Sequence, residues 1–257
     1  MKALLALVVL VLLGGAAYWL FTNPPDMQTQ QGAVGEVRGE PISYYQDAQG
    51  YFARPAGDGA YPGIVLIHEN RGLRPEIKKA ADDLAKEGYL VMAVDLYNGR
   101  VMETQDEARA FAPTYDQEQG LANMRAAAAY LRGQGATKVG SWGWCFGGAQ
   151  SLQLALSGED LGATVIYYGS RPITDAAQLG AIKSPVLGIY GDQDQAIPQE
   201  TVSAFDKALT DAGVQHTFHI YPGVGHAFAN PSNPNHHPEH TADAWAKTIA
   251  FLNANLK

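Results

Sequence analysis

The chain has 257 residues, 46% of them hydrophobic, with 18 Lys and Arg against 26 Asp and Glu and a formal net charge of −8. That apolar content is ample for the core of one large domain behind a short leader. The acidic balance and the lack of any Lys/Arg cluster exclude a nucleic-acid partner, because phosphate binding needs a basic patch. The lone cysteine, Cys145, excludes an intrachain disulfide.

The N-terminus, "MKALLALVVLVLLGGAAYWLFTNPPD", carries one basic residue, Lys2, and then runs apolar from Ala3 to Phe21. Such a run is long enough to span a bilayer as a helix. Gly15-Ala16-Ala17 also offers the small residues of a signal-peptide cleavage site. Residues 1–22 are therefore read as a membrane anchor, or else a cleaved signal. Lys2 favours a cytoplasmic N-terminus. Both readings place the rest of the chain in the periplasm, soluble or tethered to the inner membrane by a segment that stays in contact with lipid. Residues 23–40, polar and broken by Pro and Gly, read as a linker. Residues 41–257 form the remaining domain.

Within that domain strand and helix signals alternate. "YPGIVLIHE" is a continuous apolar run, the mark of a strand buried on both faces. "RPEIKKAADDLAKEG" has Pro75 near a helix start and Gly88 as a stop. "YLVMAVDLY" is a strand, "YDQEQGLANMRAAAAYLRGQG" a helix, "KVGSWG" a strand and "FGGAQSLQLALSG" a helix. "ATVIYYG" and "PVLGIYG" are strands, followed by the helix "PQETVSAFDKALTDAG". "VQHTFHIYPG" is the last strand and "HTADAWAKTIAFLNANL" the closing helix. This alternation predicts an α/β fold, a mostly parallel central sheet with helices on both faces. Functional loops then belong at the carboxyl ends of the strands.

One junction carries chemistry. Gly143-Trp144-Cys145-Phe146-Gly147-Gly148 lies between a strand and a helix, and it fits the G-x-nucleophile-x-G elbow with Cys in the Ser position. The flanking glycines suit a turn in which Cβ atoms would clash. A thiol at a helix N-terminus has its thiolate stabilised by the helix dipole, and the Phe146 N–H can point at a developing oxyanion. A free cysteine more commonly packs as a small apolar group, but that does not explain the glycines. A nucleophile needs a base and an orienting acid, in that fold in the order nucleophile, acid, base. "GDQDQAIP" follows a strand and carries Asp192 and Asp194; "YPGVGHAF" follows the last strand and carries His226.

The motifs "IHENRGL", "VDLY", "GWCFGG", "YYG", "GDQDQAIP" and "YPGVGHAFAN", in this order, resemble the dienelactone hydrolase family of α/β-hydrolases. The resemblance covers the chain from Tyr44 on. It implies Cys145 as nucleophile, Asp194 as triad acid and His226 as base. It also implies that Glu69 contacts and activates the thiol, and that Asn70 supplies a second oxyanion N–H beside that of Phe146. Family members bind a lactone carboxylate with two arginines; this chain has Gly99 and Asn230 at those places. Arg100, Tyr97 and Arg71 are the residues expected to bind substrate, with Arg171 a further cation nearby. The implied activity is hydrolysis of a lactone or small ester, carboxymethylenebutenolidase-like, by a monomer without cofactor. A general carboxylesterase or peptidase on the same fold, and a non-catalytic binding protein, are the alternatives. "NPNHHPEH" (His236, His237, His240) lacks a completing ligand set and reads as a loop rather than a metal site.

Overall fold

In a computed structural model the described residues are 37–257. The anchor or signal segment, and with it the export reading, lies outside them, as does most of the expected linker. Among the described residues no helix is long and apolar enough to cross a membrane.

Two strands, β1 (Arg38–Tyr45) and β2 (Ala48–Arg54), form an antiparallel hairpin that the alternation above does not include. β1 starts inside the expected linker, so residues 38–40 belong to the domain. They pair with β2 in the register Arg38↔Arg54, which supplies backbone partners to a polar stretch that buries little. The remaining strands are β3 (Gly63–Ile67), β4 (Leu90–Ala93), β5 (Val139–Trp144), β6 (Ala163–Tyr167), β7 (Val186–Gly191) and β8 (His216–Tyr221). They build one eight-stranded sheet in the order β1-β2-β4-β3-β5-β6-β7-β8. Pairing is parallel from β4 to β8 and antiparallel only at the β1–β2–β4 edge.

The helices are α1 (Pro75–Lys86), α2 (Gln105–Phe111), α3 (Gln117–Gly133), α4 (Phe146–Leu156), the one-turn α5 (Ala176–Leu179), α6 (Gln199–Asp211) and α7 (Pro238–Leu256). β3 and β5 through β7 are buried at every position, which explains their unbroken apolar runs. Neighbouring β5 residues point to opposite faces. Ser141 hydrogen-bonds Ser151 of α4 at 2.7 Å, whereas the ring of Trp142 packs on Trp245 of α7 at 5.0 Å. Both faces are therefore covered, as the sequence predicts. Gly88 ends α1 with φ +88°, the left-handed stop expected of it.

Among the ties of the edge hairpin to the core is a buried phenol. Tyr44 Oη donates to the Asn123 side-chain oxygen and accepts from the Asp95 N–H at 3.1 Å, while Asn123 Nδ2 donates to the Asp95 carbonyl at 2.9 Å. Burial pushes the Tyr44 phenol above its ordinary pKa, which keeps it a donor. Tyr44→Phe leaves the Asp95 N–H and the Asn123 oxygen without a partner. It should lower unfolding free energy by about 1–3 kcal/mol in urea titrations, and an unchanged midpoint would show that the hairpin is held by packing alone.

Candidate active site

The elbow forms because three glycines let backbone pass backbone. A Cβ on Gly143 would lie 2.1 Å from the Gly147 carbonyl oxygen, and one on Gly147 would lie 2.3 Å from the Ile67 oxygen. A Cβ on Gly148 would meet the Tyr167 oxygen at 2.8 Å. Cys145 itself takes φ +53° and ψ −114°, a conformation that L-residues rarely adopt. It is held there by its N–H donating to the Tyr167 carbonyl at 2.9 Å, and by its own carbonyl accepting from the Ala149 N–H at 3.1 Å. β5 and α4 thus present the thiol at the sheet's carboxyl edge. Phe146, first residue of α4, has an N–H that no intrahelical carbonyl can reach. Its ring is anchored in an aromatic cluster with His68, Tyr97 and Tyr115.

His226 lies in the loop after β8. Its Nδ1 is 2.8 Å from Asp194 Oδ2, and the imidazole borders the same cavity as Cys145. Asp194 is buried, and its other oxygen accepts from the N–H groups of Ala196 and Ile197 at 2.8 and 3.0 Å. Asp192 points elsewhere: its Oδ1 accepts from the Gly223 N–H at 2.7 Å. The structure therefore brings Asp194, not Asp192, to the histidine. Burial works against the imidazolium, but hydrogen bonds to Asp194 and Cys145, and their charges, outweigh it and push His226 up to about 10.

Glu69 follows β3 and borders the same space. Asn230 Nδ2 donates to its Oε2, and Tyr168 Oη reaches Oε1 at 3.5 Å. Some of the residue's surface opens on the cavity, yet the carboxyl lies deep among protein atoms. Burial raises it to about 7, only partly offset by the Asn230 hydrogen bond and the His226 charge. Two neighbours escape the sequence reading as site residues. Tyr168 sits at φ +37° with its ring 5.1 Å from that of His226, and "YYG" after β6 is the only sequence signal for it. Asn235 Nδ2 donates to the His226 carbonyl at 3.1 Å, from a loop whose Asn content signals only a turn.

A cavity of about 400 Å³ joins these groups; Cys145, His226, Glu69, Asn70, Arg71 and Asn230 line it. Arg71 borders it, but its guanidinium is spent on the Met102 carbonyl at 3.0 Å and on the Glu103 carbonyl. Arg100 and Tyr97, expected to bind substrate, do not line it; they line a separate cavity with Phe111 and Tyr115. The reason is the loop path. Asn98 and Gly99 turn with φ +51° and +80°, the Arg100 carbonyl passes close to Gly72, and the guanidinium lies over the Phe111 ring at 5.0 Å. Tyr97 is buried edge-on against His68 and Phe111. His237 caps α7, its Nδ1 accepting from the His240 N–H at 3.3 Å.

A parallel sheet with a nucleophile elbow after β5, an acid after β7 and a histidine after β8 defines the α/β-hydrolase fold. Residues 48–256 match the dienelactone hydrolase family. A Salmonella typhimurium protein named "Putative carboxymethylenebutenolidase" is 31% identical over 89% of this chain and 91% of its own length. "Protein usf" of Aquifex pyrophilus is 32% identical over 81% and 94%. Among solved structures, a dienelactone hydrolase-like promiscuous phosphotriesterase from metagenomic libraries superposes with a TM-score of 0.78 at 24% identity, covering 87% of this chain and all of that one. The dienelactone hydrolase of Anabaena variabilis gives 0.67 at 20%, covering 86% and 100%, and these two share the fold. The chain belongs to the dienelactone hydrolase family, and it is a carboxylic ester hydrolase.

The Glu69 pKa has a stability consequence. Because its folded value, about 7, lies above the ordinary 4.5, the folded state binds more protons between those values. Stability therefore falls as pH rises through that window. Glu69→Gln should remove the fall, gaining on wild type as pH rises in urea titrations made on either side of it. A difference independent of pH would show that the carboxyl is not held protonated by burial.

Proposed function

We propose that the chain hydrolyses a neutral lactone or small ester through a Cys145–His226–Asp194 triad and a thioester acyl-enzyme. The observation that carries this reading is the strained elbow, which presents Cys145 to an imidazole whose far nitrogen is held by a buried carboxylate. With Nδ1 engaged by Asp194, Nε2 is the nitrogen left to take the Cys145 proton. The thiolate sulfur attacks the carbonyl carbon, and the oxyanion is received by the N–H groups of Phe146 and Asn70. The C–O bond breaks as imidazolium Nε2 gives its proton to the leaving alkoxide. His226 then takes a proton from water, which attacks the thioester, and the acid is released as the thiolate reforms.

Cys145→Ala should abolish turnover of an activated ester, and mass spectrometry of wild type during turnover should show one acyl group on Cys145. Asp194→Asn should lower kcat by about 10²-fold or more, while Asp192→Asn should cost far less because it touches only the Gly223 N–H. Full activity in Cys145→Ala, or the reverse order of the two aspartates, would sink the assignment.

The cavity's polar groups also bear on substrate charge. Asn230 and Glu69 occupy the wall where a carboxylate clamp would be sought, and Arg100 is turned away. The lining guanidiniums of Arg71 and Arg74 are engaged by the Met102 and Glu103 carbonyls and by Glu76, so apart from the His226 imidazole a carboxylate buried there would lack a free cationic partner, at a cost of several kcal/mol. Neutral esters should therefore show higher kcat/KM than carboxylate-bearing ones of equal size, and Arg100→Ala should leave the ratio unchanged. An anionic preference lost in Arg100→Ala would show that the loop swings in to bind the carboxylate.

A further inference from the structure

A second cavity, of about 300 Å³, lies on the other side of the Glu69–Asn230 pair. Its walls are unlike those of the cavity that holds Cys145. They are made by the rings of Trp142, Trp144, Tyr167 and Trp245, closed by Ala80 and Ile77 of α1. The rings form one packed group, with Trp142 4.9 Å from Trp144, 5.2 Å from Tyr167 and 5.0 Å from Trp245. Lys79 and Asp83 of α1 border this apolar lining, as do Glu69 and Glu76. Glu69, Asn230, Glu76 and Ile77 line both cavities, so the two spaces share a wall made of side chains.

Trp142 contributes a further observation. It is fully buried, and its indole Nε1–H has no hydrogen-bond partner among the described residues. A buried donor left unsatisfied is costly and calls for an acceptor. That nitrogen is itself enclosed by protein atoms, so the chemistry of the space is set by its rings, which suit an aromatic or alkyl group. Lacking a buried cation, it does not suit an anion. An acidic group would also sit beside the Glu69 carboxyl, which burial already disfavours in its charged form.

We infer that this aromatic cavity is a subsite for the apolar, aryl or alkyl, portion of the ester that is cleaved at Cys145. The inference rests on the ester-hydrolase reading above. The shared wall favours the substrate itself over an independent ligand, because a group passing Glu69 and Asn230 needs only those side chains to turn aside. Ala80, partly buried on α1, lines this cavity and not the one that holds Cys145. Enlarging it fills the subsite without touching Cys145, His226 or Asp194.

The test uses two matched ester pairs with the full chain. In one, the aryl alcohol is constant and the acyl group is acetyl or hydrocinnamoyl. In the other, the acid is constant and the alcohol is methanol or phenylpropanol. At least one pair should show a preference of about tenfold or more in kcat/KM for the phenyl-bearing ester, the scale set by burying extra apolar groups. Ala80→Phe should collapse that preference while leaving the small ester's kcat/KM unchanged, and Ala80→Leu should give an intermediate effect if the larger ring impairs folding. In the Cys145→Ala protein, benzylacetone, an inert ketone with one ring and one acceptor, should quench tryptophan fluorescence saturably, and Ala80→Phe should remove the quenching. No preference in either pair, or one that survives both Ala80 variants, overturns the subsite. Quenching that Ala80→Phe removes, without any ester preference, assigns the cavity to a separate ligand and likewise overturns it. If no ester is hydrolysed at all but the quenching behaves as expected, the failure lies with the reaction and the cavity stands as a ligand site.

Discussion

The structure depends on a close approach of backbone to backbone at the end of β5. Gly143, Gly147 and Gly148 let the chain reverse within van der Waals reach of the carbonyls at the ends of β3 and β6. That contact does more than expose Cys145. Because Gly147 lies against Ile67 and His68, it sets the distance from the thiol to Glu69, the next residue along. Because Gly148 lies against Tyr167 and Gly169, it sets the position of Tyr168 between them. Three side chains of the cavity thus inherit their spacing from one turn. The strain of the +53° φ at Cys145 is sustained by a sheet buried on both faces, which has no room to relax.

The electrostatics follow from the same compactness. His226 and Glu69 both depart from their ordinary proton affinity, for different reasons. The imidazole is held charged by two specific partners in spite of burial. The carboxyl is driven toward neutrality by burial, because the amide of Asn230 offers it a donor but no charge. An amide hydrogen bond offsets only part of the desolvation of a carboxylate, so Glu69 is left a weak acid beside an imidazole whose proton affinity is raised. The surrounding aromatic rings keep the local dielectric low, which sharpens both effects.

The fully buried strands are legible in the sequence because burial on both faces erases polar positions, leaving runs such as "GIVLI" and "PVLGIYG". The order of Cys145, Asp194 and His226 is legible because the first two follow such runs and His226 follows the last strand, β8, whose burial is only partial. The β1–β2 hairpin is not. Its strands are only partly buried, Pro41 lies within one of them and weakens its strand signal, and its Tyr44–Asn123 anchor spans 79 positions. Substrate contacts are less legible still. Arg100 is one residue from a family position, but two consecutive left-handed residues turn it into another cavity, and no local pattern discloses where a side chain goes after such a turn. The pairing of Glu69 with Asn230, 161 positions apart, is likewise a property of the folded chain.

Asp192 has a role distinct from that of its neighbour two residues on. Its hydrogen bond to the Gly223 N–H ties the loop after β7 to the loop after β8, alongside the Gln193 N–H bond to the Val224 carbonyl at 3.0 Å. These two clasps join the loops that carry Asp194 and His226 without using either residue. The imidazole can gain or lose its proton, strengthening or weakening its grip on Asp194, while the spacing of the two loops is kept by hydrogen bonds that involve neither residue. The pair behaves as a bearing in a fixed housing: its charge state cycles, and its alignment stays under separate control.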